Sequence, residues 1–226
     1  MSEMMLALDT STSAITVALL AGDEVRAERA VLDPRRHSEV LAPAIDTVLR
    51  EADSTLSEVS RIAVGVGPGP FTGLRVGVVT ATTLGFALGV PVHGVCSLDA
   101  LAQEYAAQAA GEFVVATDAR RKEVYWARYR AESAVAQRIS GPEVSRPADL
   151  PAEVVTLPVA GRGPLLYPDV FARPAMPLDA SGGSLGRVAR RLLAAGEVLP
   201  VIPMYLRRPD VQEPGKPKST LLPRDS

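Results

Sequence analysis

The run GVGPGPFTGLRVG, residues 65–77, joins a short apolar segment at 61–65 to a helical pattern through a loop of glycine and proline. Glycine lets backbone amides come close to a ligand and a helix N-terminus aims them, which is the chemistry of a phosphate cradle. The spacing argues against a nucleotide motif. In the dinucleotide fingerprint G-x-G-x-x-G the third glycine position falls on Pro70 counted from Gly65, and on Thr72 counted from Gly67. A Walker loop ends in G-K-[ST], but Gly73 is followed by Leu74 and Arg75, which supply neither the lysine nor the magnesium-binding hydroxyl. The segment therefore reads as a rigid turn that opens a helix.

Two further acids stand in turns. Asp9 is followed by the hydroxyl residues Thr10, Ser11 and Thr12, and Asp118 by Ala119, Arg120, Arg121 and Lys122. An aspartate beside hydroxyls bonds its local backbone more often than it binds metal or phosphate, and three adjacent cations suit either a solvated hairpin tip or an anion contact. His37 and His93 lie far apart and neither belongs to a close-spaced ligand pair, so no metal centre is expected. Cys96, the one cysteine, follows the apolar run 91–95 and reads as a buried structural thiol.

The elements that position these residues follow from periodicity. Residues 5–9 and 14–20 are apolar strands about the Thr10–Ser13 turn, and 24–31 alternates as a third strand. Residues 37–50 place Val40, Leu41, Ala44, Ile45, Val48 and Leu49 at helical spacing, and Pro43 predicts a kink or a loosened first turn. Strands at 62–65 and 90–95 flank a helix at 72–88, and a further helix is expected at 98–110. Within 72–88, Gly73, Gly77, Ala81 and Gly85 draw a ridge of bare backbone, while Leu74, Val78, Leu84, Phe86 and Leu88 make the remainder apolar. Glycine inside a helix costs roughly 0.5–1 kcal/mol relative to alanine, so close packing must return the loss, against a second helix or against a sheet. Near Gly111 the pattern repeats. Placing Asp118 over Asp9 puts Val124 over Ile15, Trp126 over Val17 and Ala127 over Ala18. Beyond it prolines break the chain until a helix at 184–195, and the proline-rich stretch 209–226 reads as disordered.

Length and charge set bounds. A chain of 226 residues with 47% hydrophobic content has enough apolar surface for one large domain or two lobes. Its formal charge of −2 lacks the basic excess of a protein that grips nucleic acid alone. No apolar run reaches membrane-spanning length and no charged-then-apolar leader opens the chain, so the cytoplasm is the expected address.

GPGPFTGLRVG, taken with LALDTSTSAITVALL, HSEVLAPAIDTVL, DARRKEVYWARY and PMYLR in this order, resembles the bacterial TsaB (YeaZ) family. The resemblance implies an α/β, two-lobed actin-like ATPase (ribonuclease H-like) fold, each lobe a mixed sheet flanked by helices, with lobes at 1–110 and 111–208. It implies a subunit without catalytic residues, cofactor or metal, which binds and activates TsaD in making threonylcarbamoyladenosine in tRNA. TsaE would join in a ternary complex, tRNA would be met only through the complex, and a homodimer would form in isolation. The expected interface is His37, Val40, Leu41, Ala44, Val48, Gly73, Leu74, Gly77, Val78 and Ala81 on the two helices of the first lobe. PMYLR would either approach a nucleotide there or pin the chain end. The alternative is an independent small-molecule kinase or ATPase of the same superfamily, with Asp9 as its metal-associated acid.

Overall fold

The computed structural model describes residues 3–33 and 35–207. The first sheet is built from β1 (Met4–Asp9), β2 (Ala14–Ala21), β3 (Glu24–Leu32), β4 (Arg61–Gly65) and β5 (Val92–Val95), in the order β3-β2-β1-β4-β5. β1 runs antiparallel to β2 and parallel to β4, so a hairpin edge continues into a parallel half. The second sheet repeats the plan with β6 (Gly111–Asp118), β7 (Val124–Glu132), β8 (Val135–Ser145), β9 (Val159–Ala160) and β10 (Pro174–Ala175), in the order β10-β9-β6-β7-β8. Two mixed sheets with the same 3-2-1-4-5 winding, each flanked by helices, form the ribonuclease H-like arrangement of actin-like folds.

Both faces of each sheet are covered, so the central strands are apolar at successive positions rather than at alternate ones. Leu6, Leu8, Ile15, Val17 and Leu19 point to an outer layer holding α1 (His37–Glu51) and α2 (Phe71–Leu88). Met5, Ala7, Ala18 and Leu20 point the other way, into a core with α3 (Ser97–Ala106), α6 (Gly182–Ala194) and Phe113, Val115, Ala127 and Tyr129 of the second sheet. The far side of that sheet, with Val114, Ala116, Val124 and Trp126, is closed by two short helices and their loops, α4 (Ala152–Val155) and α5 (Gly163–Leu166).

α1 is one element through Pro43. Of the two neighbours open to the glycine ridge of α2, the sheet is the main one, with His37, at the start of α1, standing 3.6 Å from a Cβ on Gly73. A Cβ on Gly73 would stand 2.8 Å from the Thr10 carbonyl oxygen, one on Gly77 2.5 Å from Thr10 Oγ1, and one on Gly85 2.3 Å from Val92 Cγ2. α2 is thus seated on the strands and turn beneath it. The Thr10 hydroxyl donates to the Gly73 carbonyl at 2.7 Å and accepts from the Gly77 amide at 2.9 Å, straddling the two groups that an α-helix would pair with each other. The expectation that no apolar run reaches spanning length is also corrected. α2 has 18 residues, carries one charge at Arg75, and is long and apolar enough by length and composition to cross a membrane.

After the second sheet the chain returns to the first. Ser181 caps α6 by accepting from the Ser184 amide at 3.0 Å, and α6 then lies on the first sheet. Gly182 and Gly186 sit where a Cβ would come within 2.8 Å of the Ala18 nitrogen and 2.6 Å of Leu20 Cδ1. Past α6, the Leu199 carbonyl accepts from Gly94 at 3.0 Å and the Met204 amide donates to Val66 at 2.7 Å, so the chain beyond the second sheet stays bonded to the first. The stretch 209–226 lies outside the described residues.

Replacing Gly77 by Ala wedges a methyl into the Thr10 hydroxyl and is expected to destabilise the fold by about 2–3 kcal/mol. Thr10→Val keeps the shape but removes both hydrogen bonds, at about 1–3 kcal/mol. Urea midpoints at unchanged slope measure both, and a Gly77→Ala midpoint equal to the parent's would contradict the seating.

Candidate functional site

The three places where the sequence could have placed chemistry are each occupied by internal bonds. At the end of β1, Asp9 is buried, and its Oδ1 accepts the Ser11 amide at 2.7 Å while Oδ2 has no partner. Gly65 makes room for it, since a Cβ there would stand 2.2 Å from the carboxyl carbon. Burial raises the Asp9 pKa above its ordinary 3.8, against the lowering effect of the neighbouring Ser97 and Ser11. Asp118 is not its counterpart. Asp9 pairs with Thr16 and Thr117 with Tyr125, so Thr117 holds the equivalent register and the second turn is one residue longer. Asp118 instead accepts the Arg120 amide at 2.7 Å and pairs with its guanidinium at 3.4 Å.

In the loop before α2, the carbonyls of Val66, Gly67 and Gly69 accept from Met204 at 2.7 Å, Ser97 at 2.8 Å and the Tyr125 hydroxyl at 3.4 Å. The Gly67 amide is held by Ser97 Oγ at 3.3 Å, so this part of the loop is a structural joint. Cys96 is buried, and desolvation pushes its thiol up to about 12, far from a nucleophile's range. His93 is shifted the other way, its pKa lowered by burial and then by Arg61. Among the described residues no group of three His, Cys, Asp or Glu side chains gathers in metal-binding geometry.

What the fold presents outward is apolar. Along α2, Phe71 is 40%, Val79 59% and Phe86 91% exposed, with Thr82, Thr83 and Ala87 between them. Arg75 lies over the Phe71 ring at 3.7 Å and its Nε donates to the Tyr205 hydroxyl at 3.3 Å, while the Phe71 and Tyr205 rings sit 5.0 Å apart. Arg207 donates to the Ala119 carbonyl at 3.1 Å and pairs with Glu123. PMYLR, residues 203–207, therefore joins α2 to the turn of the second lobe and sets the exposed Tyr205 beside α2.

The residues of the expected interface set take different places in the structure. Leu41, Ala44, Val48, Gly73, Leu74, Gly77 and Ala81 are buried within the chain, because they are the positions that seat α1 and α2 on the sheet. His37 begins α1 and its Nε2 bonds the Thr12 carbonyl at 2.9 Å, tying the helix to the first turn. Val40 and Val78 are half-buried. The outward residues Val79 and Phe86 were missed, for in a helix with almost no polar side no periodic signal marks which face meets water.

Comparison with known proteins gives a consistent answer. The family model for TsaD, tRNA N6-adenosine threonylcarbamoyltransferase, matches residues 31–175. An uncharacterized protein of Mycobacterium leprae is 41% identical over 214 residues, 92% of this chain, and the chain spans 56% of that protein's length. The tRNA threonylcarbamoyladenosine biosynthesis protein TsaB of Escherichia coli is 33% identical over 203 residues, covering 86% of this chain and 80% of that one. The solved structure of YeaZ from Pseudomonas aeruginosa superposes with a TM-score of 0.79 at 32% identity, over 90% of this chain and 100% of the other. This chain belongs to the TsaB (YeaZ) family of tRNA threonylcarbamoyladenosine biosynthesis proteins.

Proposed function

We propose that this chain is a non-catalytic subunit that binds TsaD through the outer face of α1 and α2 and activates it for threonylcarbamoyl transfer to the adenosine beside the anticodon of tRNAs reading codons that start with A. The observation that carries this reading is the uncovered apolar side of α2, with Phe86 at 91% and Val79 at 59% exposure on a helix whose other side is fixed to the sheet. Taking those two side chains out of water contributes about 3–5 kcal/mol, a sizeable share of what a stable complex needs after the costs of association. TsaE joins the pair in a ternary assembly in the cytoplasm, and without TsaD the same face pairs two copies of the chain.

The state of the acids supports the non-catalytic part. Asp9 is enclosed behind Gly65 with Oδ1 bonded to its own turn, and Asp118 is paired with Arg120, so neither offers an exposed, unengaged carboxylate to a reacting group. The independent kinase or ATPase is not favoured by these contacts.

Phe86→Glu combined with Val79→Glu should leave the melting temperature within about 2 °C of the parent, as both side chains face outward, and weaken TsaD capture at least a hundredfold. Retained capture by the folded double variant would reject the assigned face. Asp9→Asn separates structure from catalysis. A carboxyl whose folded pKa lies above its unfolded value binds its proton more tightly in the native state. Its contribution to stability is therefore present at low pH and lost as the pH rises through the folded value. The parent should lose stability relative to Asp9→Asn in denaturation midpoints as the pH rises above the ordinary 3.8, while the reconstituted complex keeps its transferase rate. A rate loss above a thousandfold in a folded Asp9→Asn chain would make Asp9 a reacting group after all.

A further inference from the structure

The turn of the second lobe carries three cations in succession. Arg120, Arg121 and Lys122 stand in sequence at φ of +61°, +51° and +61°, a left-handed conformation that side-chain-bearing residues rarely adopt, and all three are exposed. Across from them a recess of about 150 Å³ opens between the lobes. Its walls include Arg35 and Arg120 with the hydroxyl residues Thr12, Ser38 and Thr72, and no aspartate or glutamate lines it. His37 reaches into the same wall and covers the Thr12 carbonyl. Asp118 pairs with Arg120 at 3.4 Å from outside the recess, and Asp33 is held by Arg36 at 2.8 Å. Among the described residues, neither the Arg35 nor the Lys122 side chain has an ion-pair partner.

Two guanidinium groups facing hydroxyls, with no carboxylate in the wall, make a site for a phosphoryl oxyanion. Size decides which kind. Pockets that enclose a drug-sized ligand occupy about 300–1,000 Å³, so this recess takes a phosphate group but not a whole nucleotide. The cations continue outside it along the 120–122 tip, where the rest of a polymer would lie. We propose that this recess and the adjoining tip hold successive phosphodiesters of an RNA backbone, so that this subunit touches the RNA directly. The formal charge of −2 keeps that contact local, and in one respect the proposal rests on the reading above, which brings the RNA to the chain through TsaD.

The test is tRNA binding by the complex with TsaD as a function of salt, comparing the parent with Arg35→Ala/Lys122→Ala. Neither side chain holds another part of the fold, and Arg35→Lys/Lys122→Arg serves as the charge-retaining control. Each phosphate contact adds about 0.7–0.9 to the slope of log K against log salt. The alanine pair should lower that slope by about 1.5 and weaken binding roughly tenfold, and the control should restore both. An unchanged slope and affinity would overturn the proposal. So would tighter competition by ATP than by inorganic phosphate, which would make the recess a nucleotide site, and so would loss of TsaD capture by the alanine pair, which would make it a protein contact. If the parent itself fails to capture TsaD, only the earlier reading falls, and the same comparison on the chain alone at low salt still tests the recess.

Discussion

The Thr10 hydroxyl, wedged between the Gly73 carbonyl and the Gly77 amide, is the contact on which the first lobe is organised. It fixes the height of α2 above the sheet, and the bare backbone at Gly73, Gly77 and Gly85 is what lets the helix come that close. A side chain at any of these positions would lift the helix away from the strand and turn beneath it. Because the inner side of α2 is committed in this way, Val79 and Phe86 on its opposite side are left facing outward, while Val76, Val78, Leu84 and Leu88 pack against the core. The exposed aromatic and branched side chains are thus a consequence of how the helix is seated, and the seating orients them.

The same loop and turn connect the lobes. Met204 holds the Val66 carbonyl, Tyr125 reaches Gly69, and Arg207 ties the chain end to Ala119 and Glu123. The region that in shape resembles a phosphate loop is therefore bound up with the returning C-terminal segment and with the second sheet. Its polar backbone groups are spent on architecture, while Asp9 is enclosed behind Gly65. Cations left over at the rim, Arg35 and Lys122 among them, are outside this web.

Much of this was legible from residue types. The strands, α1, α2 and the need for close approach at the glycine ridge all follow from periodicity and from the cost of glycine in a helix. The neighbour of the ridge does not, because small residues specify a distance and not an identity. Asp118 appeared equivalent to Asp9 because both end an apolar strand; one extra residue in the second turn shifts the register and sets Thr117 in its place. The glycines of α6 and the strand-like path of residues 199–204 were unread for a different reason. Their partners, Ala18 and Leu20 for the glycines and Gly94 and Val66 for the segment, lie more than a hundred residues away, and such contacts leave no pattern in the local sequence.

The family assignment rests on similarity across nearly the whole chain, and the assigned surface rests on one physical claim: α2 is half of a helix packing whose other half belongs to TsaD. Hydrogen exchange on the chain with and without TsaD reads this most directly. The account predicts slowed exchange within 71–88 and 37–51 on adding TsaD, with strand 135–145 unchanged. Exchange in 71–88 that is indifferent to TsaD while another surface becomes protected would contradict it.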